Sequence, residues 1–390
     1  MLQKSLIGFW IVIVFALFFY SFTQIDLGLT FTRASIFLDI LKSFQYIGYF
    51  NRPLATWLYV AIVVLMTVLY LFTLWCASKK KLSIRSVWFI VIVTGVVLGL
   101  SYNAFSYDFF NYIFDAKIVT HYNQNPYTQK ALDYPSDPML GFMHWTHRTF
   151  PYGPIWLGIT IPLSFLGGGI FIVTFYLFKA LIVASYFLSV FLIKRIAEKT
   201  KIVDPIFAMV FFALSPFVLI EALVSGHIDI VMMAVALTGV YFLFTRKKYV
   251  SWVFLLFSIG IKFATVLLLP LFLLFPFSKR KNKEFIFFFS AILLMVVGVY
   301  LQAARTTFQP WYFLLVMPFA AFLSKKYYVG IPVTIFSILV LFQYVPFLYN
   351  GNFDPPIPTI LNQMLRGSIA AAVIGTVSFR LYARLKGKKS

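Results

Sequence analysis

Most of the side chains able to do chemistry fall into four short constellations. The first is Ser106-Tyr107-Asp108-Phe109-Phe110-Asn111-Tyr112. A carboxylate such as Asp108 can serve as a general base, taking the proton of an attacking hydroxyl. It can equally cap a helix or stand as an interfacial anion. The second is Asn123-Gln124-Asn125-Pro126-Tyr127 with the stretch His144-Trp145-Thr146-His147-Arg148-Thr149-Phe150-Pro151-Tyr152-Gly153-Pro154. Its Trp and Tyr rings can stack on sugar faces or lie in a headgroup belt. His144 and His147 are spaced to share one helical face, but a metal site would need a third ligand, and Pro151 argues against a continuous helix. No metal is expected. The third is Ser225-Gly226-His227-Ile228-Asp229, either the polar wall of a cavity or a tight turn in which Gly226 turns and Asp229 caps the next helix. The fourth is cationic: Lys262, alone between two short apolar runs, and Arg305, ahead of Pro310-Trp311-Tyr312. A cation facing a phosphate offsets its charge, more so as that phosphate departs. Snorkelling or a headgroup contact would explain the same residues. Lys179 and Glu221 stand inside apolar runs and are candidates to pair.

The elements that position these groups are membrane helices. The 390 residues are 61% hydrophobic and 12% charged, with 48 Phe and 23 Tyr. A water-soluble globule cannot hide that much apolar side chain. The net charge of +21 would suggest nucleic acid in a soluble protein. Here the Lys and Arg cluster between apolar runs, at 79–81, 194–195, 246–248, 279–281, 325–326 and 384–389. That is the pattern of cytoplasmic loops beside anionic lipid, so no nucleic-acid partner is expected. The single cysteine, Cys76, excludes an internal disulfide and a thiolate metal cluster. The apolar run 6–22 lacks a small-x-small cleavage pattern after it and reads as a retained anchor.

Hydropathy predicts an all-α, polytopic transmembrane bundle of about twelve spans: 6–22, 54–76, 87–104, 169–193, 206–224, 228–244, 250–261, 263–277, 285–302, 311–324, 328–348 and 366–383. Both termini would be cytoplasmic, with every basic cluster on that side. Eight carboxylates and all four His then lie on the other side. The short pair 250–261 and 263–277 can form a re-entrant hairpin with its tip against protein. Residues 34–42 predict a helix lying in the membrane surface, and 105–153 a long external loop after the third span. We expect one integral membrane domain over 1–390: N-terminal spans to 85, a core over 86–324, and C-terminal spans over 325–390.

Tyr107-Asp108-x-x-x-Tyr112, Asn125-Pro126-Tyr127, Trp145 and Pro151-Tyr152-Gly153-Pro154 resemble the first external loop of GT-C superfamily glycosyltransferases. Gly226-His227-x-Asp229, Gly260-x-Lys262, Leu269-Pro270 and Gln309-Pro310-Trp311-Tyr312 with Pro318 extend the resemblance over about 100–320. The chain looks most like bacterial polyprenyl-phosphate-mannose-dependent α-mannosyltransferases. That resemblance implies transfer of a hexose, mannose first, from a polyprenyl-phosphate donor to a hydroxyl of a glycan, glycolipid or peptide acceptor. It implies inversion, with Asp108 as base, Lys262 and Arg305 at the donor phosphate, and Tyr107, Tyr112, His147, Arg148, Tyr152, His227, Asp229, Trp311 and Tyr312 around sugar and acceptor. It implies no cofactor, membrane lipid as surroundings, and an outward-facing site in a bacterial or archaeal plasma membrane. Two spans precede the loop-bearing one, against one in many GT-C enzymes, which leaves the role of 1–85 open. A secondary transporter or lipid-linked-sugar flippase also fits twelve spans. The absence of matching halves and the crowding of polar groups into one loop favour the enzyme.

Overall fold

The computed structural model describes residues 2–29 and 35–386. Its regular elements are all helices; the one β-type contact among the described residues is an isolated bridge between Lys130 and Thr149. In chain order the helices are α1 (Leu2–Phe22), α2 (Ser35–Gln45), α3 (Arg52–Ser78), α4 (Ile84–Gly99), α5 (Asp108–Thr120), α6 (Pro154–Leu166), α7 (Phe171–Thr200), α8 (Pro205–Ala213), α9 (Pro216–Val218, continued as a wider turn over Leu219–Val224), α10 (Asp229–Phe244), α11 (Lys248–Ile261), α12 (Leu269–Leu274), α13 (Lys283–Arg305), α14 (Met317–Leu323), α15 (Tyr327–Leu339), α16 (Val345–Asn350) and α17 (Ile357–Leu385).

Six of these stretches are long and apolar enough to cross a membrane: α1, α3, α7, α13, the α15–α16 run Tyr327–Asn350, and α17. Residues 205–224 make a seventh if the bent pair α8–α9 counts as one span. Its 49° bend falls at Ser215-Pro216, where proline removes a backbone donor and clashes with the preceding turn. The other apolar runs read from hydropathy are shorter. Residues 87–104 contribute helix only to Gly99, 311–324 is a 3₁₀ turn with the seven-residue α14, and 263–277 is two 3₁₀ turns flanking α12. Short helices are tolerated where protein rather than lipid surrounds them. All seven residues of α14 are buried, as is most of α10.

α1 is tied into the bundle by the buried Trp10 Nε1, which donates to Thr73 Oγ1 at 3.0 Å. α2 leaves Ile36, Phe37 and Ile40 exposed, the face expected of a helix resting on lipid; Ala34, the first residue of that predicted segment, lies outside the described residues. So do residues 387–389 of the basic tail. The region 105–153 is an ordered cap rather than a bare loop. It contains α5 and two 3₁₀ turns and runs directly into α6, an apolar helix that hydropathy left outside the spans.

After α11 the chain reverses at Lys262. Trp252 near the start of α11 meets Phe272 at 6.1 Å between ring centroids, and Ser258 and Thr265 hydroxyls bond at 2.9 Å across the turn. Fourteen residues of α11 rise only about 21 Å, short of a ~30 Å hydrocarbon layer. Lys262 is therefore held partway up the bundle, beside the N-terminus of α10.

Candidate active site

α5 begins at Asp108, whose backbone N–H donates to Ser106 Oγ at 3.2 Å. The next residue, Phe109, packs directly on Gly226. A Cβ there would lie 2.6 Å from the Phe109 ring, and Gly226 has φ +73, so glycine serves both the approach and the backbone. This contact seats the head of α5 against the turn carrying His227 and Asp229. A second tie joins the end of the cap to the hairpin: Gly153 N–H donates to Ile261 O at 3.0 Å. A Cβ on Gly153 would fall 2.1 Å from Gly260 O, so Tyr152-Gly153-Pro154 rests on backbone one residue from Ile261 and two from Lys262.

Between these ties lie two ion pairs. Lys262 Nζ meets Asp229 Oδ1 at 2.8 Å, with the carboxylate buried and the lysine side chain 18% exposed. Arg148 Nη2 meets Asp108 Oδ1 at 3.5 Å, with the guanidinium side chain 40% exposed and stacked over Trp145. Burial raises the Asp108 carboxyl above its ordinary range. Arg148 and Lys262 oppose that rise and Asp229 adds to it. The Phe109–Gly226 contact and the Gly153–Ile261 hydrogen bond bring the two pairs to neighbouring elements of one site.

Aromatic groups complete the walls. Trp311 stacks on His227 at 4.2 Å, and Tyr312 lies beneath Lys262 at 5.4 Å while its hydroxyl bonds Thr306 Oγ1 at 3.1 Å. Tyr112 packs edge-on against Tyr152 at 5.4 Å and Trp156 at 5.5 Å. Several buried polar atoms here have no hydrogen-bond partner among the described residues: both His227 ring nitrogens, Asp229 Oδ2, Ser225 Oγ and Asn111 Oδ1. Buried polar atoms are normally satisfied, so such a group around one site marks where a polar ligand or water binds. Burial, reinforced by Lys262, holds the His227 imidazole well below its usual value and hence neutral.

The structure brings Asp108, Tyr112, Arg148, Tyr152, His227, Asp229, Lys262, Trp311 and Tyr312 together. Three expected residues stand apart. Tyr107 turns away to stack on His144 at 3.5 Å, and Phe105 before it packs against Tyr20 and Tyr59 of the N-terminal part at 6.1 and 5.1 Å. His147 is exposed beside Trp145, and the non-helical course of 142–149 removes the shared helical face with His144. Arg305 ends α13 exposed, with no ion pair among the described residues.

Lys179 does not pair with Glu221. Its ammonium donates to Leu223 O, Val224 O and Ser101 Oγ, capping the carbonyl end of the bent span. Glu221 instead accepts from the Tyr344 hydroxyl at 2.9 and 3.0 Å and approaches His227 Nε2 to 3.5 Å. Glu221 and Tyr344 were not expected at the site. A lone glutamate in an apolar run was the available signal for the first, and nothing local marks the second. Asp115, two turns beyond Asp108 on the same face of α5, is also buried; burial pushes its carboxyl up to about 8 against the pull of Arg148.

The family described as alpha-(1->6)-mannopyranosyltransferase, N-terminal domain, has a model that matches residues 27–278. The match takes in the cap, the His227–Asp229 turn and the hairpin with Lys262. No curated protein and no solved structure resembles the chain closely enough to count as a match.

Proposed function

Since the chain belongs to the alpha-(1->6)-mannopyranosyltransferase family, a membrane mannosyltransferase of the GT-C type, we propose that it takes mannose from a polyprenyl-phosphate carrier with Asp108 as the base. The observation that supports this most is the seating of Phe109, next to Asp108, on Gly226, in the turn that carries the Asp229–Lys262 pair. A proton acceptor and a phosphate-binding cation then flank one space, walled by rings suited to a sugar.

The acceptor hydroxyl, on a glycan, glycolipid or peptide, displaces Arg148 from Asp108 and gives its proton to the carboxylate. Its oxygen attacks the anomeric carbon from the face opposite the phosphate. The bond from that carbon to the phosphate oxygen breaks, and its electron pair leaves with the polyprenyl phosphate. Burial helps here, because a carboxylate with a raised pKa is a stronger base at neutral pH. Lys262 stabilises the charge that grows on the leaving phosphate. Tyr112, Tyr152, Trp311, Tyr312 and His227 hold the sugars, and Asp229 keeps Lys262 aimed. Phosphate leaves without a general acid, so neither nucleotide nor divalent ion is required. The site faces outward from a bacterial or archaeal plasma membrane, where envelope glycans are built.

The stereochemistry of the product tests this reading. A β-linked donor gives an α-linked mannoside, in the presence of excess chelator. A β-linked product, or strict dependence on an added divalent ion, overturns it.

A further inference from the structure

The transfer step makes no use of Trp145 or Asn111, yet both stand beside its base. Asp108 and Asn111 lie one turn apart on one face of α5, their Cβ atoms about 5–6 Å apart. Asn111 Nδ2 donates to Trp145 O at 2.9 Å, and Arg148 Nη2 reaches Asp108 Oδ1 at 3.5 Å. These two contacts hold residues 145–148 along that face. The Trp145 side chain is 42% exposed, and the Arg148 guanidinium covers its ring, 5.0 Å from the ring centroid. One half-open cation thus occupies both the base and an indole face. Neither hold is strong, because exposed ion pairs and exposed cation–π contacts contribute little.

Asn111 also has an atom to spare. A carbonyl oxygen only accepts, so the amide atom facing Trp145 O is the nitrogen, and Oδ1 is the acceptor that remains. Asn111 is buried, and Oδ1 has no hydrogen-bond partner among the described residues. A buried acceptor left bare calls for a donor. A pyranose supplies one from a hydroxyl, and its apolar face can lie on the indole where the guanidinium lay. A serine or threonine hydroxyl brings neither a ring face nor a second hydroxyl beside the first.

Resting on the reading of Asp108 as the base, we propose that Trp145 and Asn111 form the sugar subsite of the acceptor. A pyranose ring replaces the Arg148 guanidinium on the Trp145 face and sets its attacking hydroxyl on Asp108. A second hydroxyl of the same ring donates to Asn111 Oδ1. Arg148 is the occupant that the ring evicts, so the base is uncovered by the arrival of a sugar rather than of any hydroxyl.

Acceptor choice separates this inference from the reading it rests on. The full chain in detergent, with polyprenyl-phosphate-mannose as donor, is given methyl α-mannoside, its monodeoxy analogues that keep the attacking hydroxyl, and propanol. Wild-type protein favours the mannoside over propanol. The ratio of their kcat/KM values falls about 10-fold in Trp145→Ala, through the mannoside KM, and recovers in Trp145→Phe. Arg148→Ala lowers the mannoside KM about threefold by clearing the ring face. One deoxy mannoside is about 3- to 10-fold poorer than the parent with wild-type protein, and that penalty vanishes in Asn111→Ala. Trp145→Ala lowering both acceptors in parallel, so that the ratio stays, would make Trp145 a packing residue and overturn the inference alone. An equal deoxy penalty in wild type and Asn111→Ala would do the same. Wild-type turnover by Asp108→Asn overturns the base reading and this inference with it.

Discussion

The two ion pairs of the site are built differently. Asp229 and Lys262 meet at 2.8 Å on the start of one helix and the end of the next, and little of either is exposed. Asp108 is equally well placed on α5, but its partner Arg148 comes from a non-helical stretch at 3.5 Å, with two-fifths of its side chain in the open. Two charges fixed by rigid elements are a preformed feature, costly to disturb because a buried charge would lose its partner. A loose, half-exposed cation over a carboxylate contributes little to stability and is easily moved. Under the proposed mechanism the tight pair holds the phosphate site in shape, and the loose pair is a base that stays shielded until an acceptor displaces its cover.

Disturbing the tight pair should have the larger consequence. Lys262→Met leaves Asp229 buried and unpaired and should destabilise by about 3–5 kcal/mol, read as a lower thermal midpoint in detergent. Adding Asp229→Asn should restore the midpoint but not transfer; full transfer in the double variant would deny Lys262 its phosphate role. Gly153→Ala forces a Cβ onto Gly260 O and should cost about 1–3 kcal/mol through overpacking, with a raised donor KM as the cap lifts from the hairpin. An unchanged KM would detach the cap from the Lys262 site. Arg148→Ala should leave the thermal midpoint nearly unchanged. Arg148 lowers the Asp108 pKa, so its loss raises that pKa further. The base must be ionised, so the acid limb of the kcat/KM profile should move to higher pH. A limb that stays put would sever Arg148 from the base. Asp115, with its carboxyl near 8, is largely protonated at neutral pH and resembles the amide that would replace it. Asp115→Asn should keep kcat/KM within about threefold, measured at pH 6.5; a collapse would move the base assignment from Asp108 to Asp115.

Much of this architecture was legible in the residues because bilayer chemistry leaves few choices. Uninterrupted apolar runs must be helical, and a lone lysine between two short runs marks a break in them. The order of the Asp108, His227–Asp229, Lys262 and Trp311–Tyr312 segments carried the family resemblance, and the fold joins all four. α5 was hidden because Asp, Asn and Lys interrupt its apolar pattern, although Phe109 and Tyr112 line its buried side. α6 was hidden by brevity and by the Gly167-Gly168-Gly169 turn that cuts it from α7. The count of spans depends on length, and helices such as α10 and α14 need not reach across a bilayer when protein surrounds them. Pairings at long range had no sequence signature. Tyr344 finds Glu221 from 123 positions away, and Lys179 serves backbone carbonyls that pattern reading does not see.

The most direct test of Asp108 as the base is transfer itself. Purified protein in nanodiscs meets polyprenyl-phosphate-mannose and a panel of mannosides, glycolipids and peptides, with Asp108→Asn alongside, and product is followed by mass. The account predicts addition of one hexose by wild-type protein, a loss of about 10²–10⁴-fold in kcat for the variant, and donor binding close to wild type in both. Wild-type turnover by Asp108→Asn would contradict it.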